Sequence, residues 1–113
     1  MTDQPSADRT LHLVLTTLPT RPEAERIARV LVAADLAACA QVGSPIRSWF
    51  RWQGEVEETP ETPLALKVRG DRLEACFARV RELHPHDTPQ LVALAIERVD
   101  AGYLDWAHGE GGA

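Results

Sequence analysis

An α+β fold is predicted by three observations. Apolar residues run together or alternate in four strand-like stretches. They recur at helical spacing in two stretches between them, in the order strand, helix, strand, strand, helix, strand. Two runs rich in aromatic and β-branched residues meet at Gln53-Gly54, a polar residue followed by glycine that suits a tight reversal. Capping signals stand before both helical stretches. Two βαβ-like halves joined by a long hairpin between the second and third strands make a ferredoxin-like βαββαβ sandwich. Its four-stranded antiparallel sheet carries helices on one face, and a short C-terminal helix closes it.

Taken in order, residues 1–10 are polar and expected to fray. Leu11 to Thr17 reads as a central first strand, with His12 on the face opposite Leu11, Leu13 and Leu15 and expected in solvent. Pro19 ends it. Thr20-Arg21-Pro22-Glu23 then fits a capping box, with proline tolerated in the first turn. Ala24, Ile27, Ala28 and Leu31 put an apolar stripe on a helix of roughly 13 residues. The segment Asp35 to Val42 turns from helix to strand, Gly43-Ser44-Pro45 marks a bend or bulge, and the strand resumes to Trp52. Beyond Gly54 the acidic run Glu55, Glu57, Glu58 and Glu61 contains Pro60 and Pro63 and reads as a solvated edge. Leu64, Leu66 and Val68 alternate with Ala65, Lys67 and Arg69 as a half-buried strand.

Asp71 is placed to cap a second helix, with Glu74 three positions on. Its stripe is Leu73, Cys76, Phe77, Val80 and Leu83, and it stops at His84-Pro85, because a residue before proline avoids helical backbone. Leu91 to Ile96 reads as a buried strand, Ala101 to Ala107 as a short helix, and the glycine-rich 108–113 as a flexible tail. Residues 11–107 thus form one domain.

The hairpin needs a surface to lie against. Two of the three tryptophans and one of the two phenylalanines fall within Trp49 to Val56, and an isolated two-stranded ribbon is marginal in water. Either the chain's own core or another copy of the chain takes up these aromatics; Trp52 is expected where subunits meet.

Composition narrows the function classes. The chain has 113 residues, 44% hydrophobic and 26% charged, as expected of one soluble domain. A net charge of −5 disfavours nonspecific nucleic-acid binding and an anionic membrane surface. No apolar run approaches the ~20 residues of a membrane span, and the polar start lacks a signal peptide's apolar core. A cytoplasmic location is therefore expected, with Cys39 and Cys76 as free thiols in apolar surroundings.

Chemistry-bearing clusters are few. His84-Pro85-His86-Asp87 offers two imidazoles and a carboxylate to a metal ion, although a polar loop at a helix end accounts for the same residues. No nucleophile elbow, P-loop or dinucleotide fingerprint occurs, and the crowded glutamates of the hairpin assign no separate acid and base. No catalytic residue is assigned.

Several motifs, in their order and spacing, carry a family resemblance. They are Leu36-Ala37-Ala38-Cys39, Ser48-Trp49-Phe50-Arg51-Trp52-Gln53-Gly54, Glu61 and Lys67, His84-Pro85-His86-Asp87-Thr88-Pro89, and Tyr103-Leu104-Asp105-Trp106. Over nearly all of Leu11 to Ala107 the chain resembles CutA, the divalent-cation tolerance proteins. The resemblance implies a ferredoxin-like fold, a tight homotrimer similar in architecture to PII signalling proteins, and a role in the response to metal ions, with copper binding reported for the family. It implies clefts between subunits involving Trp49, Phe50, Trp52, Glu61, Lys67, Gln90, Tyr103 and Trp106. The copper ligands it implies fall on Thr16, His84 and Gln90, where the family pattern has a cysteine in some members, histidine and usually glutamate. Phe50 and His86 stand where tyrosine is frequent. A threonine hydroxyl and a neutral amide are weak copper ligands. No cofactor is thus required, and copper or another divalent cation is expected to bind weakly, through His84, His86 and Asp87. The leading expectation is a trimeric, non-enzymatic binding or signalling protein. Its rivals are a dedicated metal-binding protein and an enzyme working in an intersubunit cleft.

Overall fold

The computed structural model describes residues 9–109; positions 1–8 and 110–113, on which most of the expected fraying and the expected flexible tail fall, lie outside the described residues. The first strand, β1 (Leu11–Leu18), is followed after two residues by helix α1 (Arg21–Ala33). The Thr20 hydroxyl accepts the backbone N–H of Glu23 at 3.3 Å and donates to its carboxylate at 2.9 Å, which joins the cap to the first turn. Next come β2 (Cys39–Val42), β3 (Ile46–Trp52) and the 15-residue β4 (Glu55–Arg69). Helix α2 (Leu73–Leu83), β5 (Leu91–Ala95) and α3 (Ala101–Ala107) complete the chain.

The sheet is antiparallel, in the order β2-β4-β1-β5, with β3 pairing the outer half of β4. The expected second strand is thus broken in two, giving five strands. Val42 pairs with Leu64 and Ile46 with Glu61, so three residues on one side face two on the other. The surplus residue is a bulge at Gly43-Ser44-Pro45. A Cβ at Gly43 would lie 2.9 Å from the Pro63 ring, so only glycine allows this approach. At the far end Gln53 and Gly54 both take positive φ, 51° and 81°, as a two-residue type I′ hairpin requires. The hairpin extends well past the helices, and the molecule is 54 Å long and 27 Å across.

The core lies on one face of the sheet. Val14 and Leu18 of β1 and Leu64, Leu66 and Val68 of β4 meet Ala24, Ile27 and Leu31 of α1 and Cys76 and Val80 of α2. Each large aliphatic side chain so buried contributes about 1.5–3 kcal/mol relative to exposure. Partner residues across a ladder share a face, and His12 is the partner of Val68. His12 therefore stands on the helix-covered face and is half-buried, rather than in solvent. Three further expectations are corrected. Asp71 accepts from Arg69 at 3.1 Å instead of capping α2, and Gly70–Arg72 forms a 3-10 turn before the helix. β5 is an edge strand rather than a buried one, with Val92 46% and Leu94 51% exposed on the face they share with Leu13 and Leu15, opposite the one packed by α1 and α2. Cys39 faces that same open side as the partner of Lys67 and is half-buried, whereas Cys76 is buried as expected.

Candidate functional site

The hairpin and the loop between α2 and β5 border a broad hollow that is open to solvent in the single chain. Trp49, Phe50 and Trp52 supply its aromatic surface, and Trp49 and Trp52 are 62% and 60% exposed. Glu57, Glu58, Glu61 and Asp87 supply its charge, and no lysine or arginine lines it. The register divides this lining between the two faces of the ribbon: Phe50 is the partner of Glu57 and Trp52 of Glu55 on the face that also carries Glu61, while Trp49 and Glu58 are partners on the other. Glu58 pairs with Arg47 at 2.6 Å. Glu57, Glu61 and Asp87 have no basic partner within ion-pair distance among the described residues. Glu61 instead accepts the Thr17 hydroxyl at 2.8 Å, which fixes its carboxylate against β1.

The loop is held by His84. This residue ends α2 and is buried, 8% exposed. Its Nδ1 accepts the backbone N–H of His86 at 3.1 Å, so its Nε2 carries the proton and donates to the Thr17 carbonyl at 2.7 Å. Both ring nitrogens are thereby committed inside the protein. The His86 ring stands 5.2 Å from that of His84, tilted 53°. The Thr16 hydroxyl is buried and has no hydrogen-bond partner among the described residues. Thr16 is the partner of Leu64 in β4 and of Leu91 in β5, both on the helix-covered side. Among the described residues no group of three or more histidine, cysteine, aspartate or glutamate side chains stands close enough to share a metal ion. The set Thr16, His84 and Gln90 therefore does not fit a copper centre: one member is a neutral hydroxyl, one a neutral amide, and the third has no free lone pair.

The structure brings most of the expected cleft residues together, but not all. Trp49, Phe50, Trp52, Glu61 and Gln90 line the hollow beside His86 and Asp87. Lys67, Tyr103 and Trp106 belong to the other end of the sheet. Lys67 lies six residues from Glu61 along β4, about 20 Å at ~3.3 Å per residue, and its ammonium donates to the Gln41 side chain. Tyr103 and Trp106 stack at 5.5 Å on α3, whose first turn is capped by Asp100 accepting the Tyr103 N–H at 3.2 Å. Burial, and then the neighbouring Cys39 thiol, push the Tyr103 phenol above its ordinary value. Sequence reasoning missed Thr17, which joins Glu61, β1 and His84. The only available signal was a polar residue near the end of an otherwise apolar strand.

Comparison with known proteins agrees with this architecture. A family model described as CutA1 divalent ion tolerance protein matches residues 12–110. The divalent-cation tolerance protein CutA of Thermus thermophilus is 40% identical over 94 residues, covering 83% of this chain and 91% of that protein. That of Pectobacterium atrosepticum is 32% identical over 94% of both chains. The solved structure of the divalent cation tolerance protein from Thermus thermophilus superposes with a TM-score of 0.85 at 38% identity, covering 90% of this chain and 99% of that one. CutA1 from Oryza sativa gives 0.87 at 29% identity, covering 94% and 97%. These relatives are named as tolerance proteins rather than as enzymes. The chain, by sequence and by fold, belongs to the CutA1 divalent ion tolerance family.

Proposed function

We propose that the protein acts in the response to metal ions as a homotrimeric, non-enzymatic binding or signalling protein, with its sites in the clefts between subunits. One observation carries this reading. The chain exposes two apolar surfaces that a single copy leaves uncovered: the hairpin aromatics Trp49, Phe50 and Trp52, and the open sheet face with Val92 and Leu94. Large exposed apolar surface marks an interaction site, and a closed ring of identical copies covers hairpin and face alike without leaving long strand edges free. The split of the expected cleft residues favours the same reading. The group around Trp52 and the group around Tyr103 lie at opposite ends of one chain, so a shared cleft requires two chains.

Light scattering in dilute neutral buffer tests it. Three times the 12.5 kDa chain mass is expected, and a clean monomer overturns the proposal. The reading includes weak copper binding, since the imidazole of His84 is committed to Thr17 and His86. It places the protein in the cytoplasm, where Cys39 and Cys76 remain as free thiols.

A further inference from the structure

Covering the open sheet face creates an electrostatic demand that one chain cannot meet. Across that face Leu94, Leu13, Lys67 and Cys39 stand side by side on four neighbouring strands. Lys67 is the chain's only lysine. Its ammonium donates to the Gln41 side chain and has no carboxylate within ion-pair distance among the described residues. Acidic groups at that end of the sheet are engaged elsewhere. Asp35 pairs with Arg69 and Arg72, Asp71 with Arg69 and Asp105 with Arg9, and Asp100 caps α3. A copy laid over this face takes water from the ammonium, and a charge desolvated without a counter-charge strongly opposes association. The covering surface must therefore carry a carboxylate among apolar groups. The outer arm has such a surface. On one face of β3 and β4 it sets Ile46, Phe50 and Trp52 opposite Glu61, Glu57 and Glu55. Glu61 is held by the Thr17 hydroxyl, whereas Glu57 has no basic partner among the described residues. Glu57 and Lys67 lie on the same strand, about 33 Å apart at ~3.3 Å per residue, so the two cannot pair within one chain.

We propose that the arm of one copy lies on the open sheet face of the next, where its Glu57 carboxylate pairs with Lys67 of the partner subunit. Phe50 and Trp52 flank that pair and supply the apolar burial, and the aromatic faces also favour a neighbouring cation. The ion pair fixes register more than it adds affinity. The contact is heterologous: each copy gives one arm and receives one, so a ring closes with no arm left over. The acidic face of the arm thus serves recognition of a second copy of this chain. The proposal rests on the trimer put forward above and names the residues through which its subunits recognise one another.

Zero-length carbodiimide coupling of the unaltered full chain tests it, because the reagent joins amines only to carboxylates already in contact. A Lys67–Glu57 amide, read by mass spectrometry of the digested product, is expected, and the distance along β4 means that it forms only between chains. Light scattering over a dilution series adds a charge exchange. Lys67→Glu should raise the concentration at which the assembly half-dissociates roughly thirtyfold or more. Adding Glu57→Lys should bring it back to within about threefold of the parent. Adding Glu82→Lys instead, the same change of net charge on the exposed side of α2, should not restore it. Circular dichroism checks that each variant folds, and the coupling of the parent needs no variant. No Lys67–Glu57 amide in an assembled parent, no rescue by Glu57→Lys, or equal rescue by Glu82→Lys overturns this proposal while the trimer stands. A parent that scatters as a monomer overturns the trimer itself, so the two failures are distinct.

Discussion

Trp52→Ala separates the stability of the chain from that of its assembly. In one copy Trp52 is 60% exposed near the hairpin tip, opposite Glu55, so the fold of a single chain hardly depends on it. In the proposed trimer that exposed part is covered. A tryptophan presents up to ~250 Å², so about 150 Å² of additional burial is at stake. At ~25 cal/mol per Å² this is about 3–4 kcal/mol per subunit, of the same order as aromatic truncations in packed interiors. The assay is light scattering over a dilution series, paired with thermal unfolding followed by circular dichroism. The variant should dissociate at concentrations where the parent stays assembled, and its melting temperature should depend more strongly on concentration. A variant that remains trimeric on dilution with an unchanged melting temperature would show that Trp52 is peripheral and refute the reasoning.

Three other outcomes are expected. His84→Ala removes two buried hydrogen bonds and should cost about 1–3 kcal/mol in denaturant unfolding; tight stoichiometric copper binding by tag-free parent protein, read by titration, would contradict the committed imidazole. Thr16→Val replaces a buried hydroxyl that has no partner among the described residues with a methyl of like shape, and should leave the melting temperature equal or higher, whereas a clear loss would mean that the hydroxyl is satisfied. Burial pushes the Cys76 thiol up to about 11. The unfolded chain then ionises first, so the thiol's contribution to stability is full below about pH 9 and is lost as pH rises towards 11. Cys76→Ala should flatten that alkaline limb, and in native protein a thiol reagent should modify Cys39 well before Cys76.

Much of the fold was legible because local chemistry and tertiary pairing agree. Thr20 and Glu23 cap α1, Gln53-Gly54 turns the hairpin, and Pro85 stops α2, each by a rule acting within four residues. The errors arose where a long-range neighbour decides. His12 alternates correctly with its leucines, but which face the helices cover is fixed by α1 and α2, not by the strand. Asp71 has a capping residue's identity, yet the Arg69 guanidinium competes for its carboxylate. β5 has a buried strand's composition and lies at an edge, since apolar residues alone do not tell a core from a surface awaiting a partner. At the site, the aromatic and acidic residues were visible as a cluster. The commitment of His84 to Thr17, 67 residues away, was not.

The surplus residue at Gly43-Ser44-Pro45 acts as a phase shifter between two parts of one strand. Before it, odd-numbered Cys39 and Gln41 share a face with Lys67 and Ala65; after it, even-numbered Phe50 and Trp52 share that face with Glu57 and Glu55. Deleting one residue from the bulge would leave the core pairing of β2 with β4 untouched but turn the outer arm over. Phe50 and Trp52 would change sides with Trp49 and Arg51, so the arm's acidic face would carry one tryptophan and a guanidinium in place of two aromatics. The inner and outer parts of the strand are thus free to vary separately, provided the length of this one short segment is kept. A one-residue deletion there is therefore far less tolerable than a substitution at Ser44.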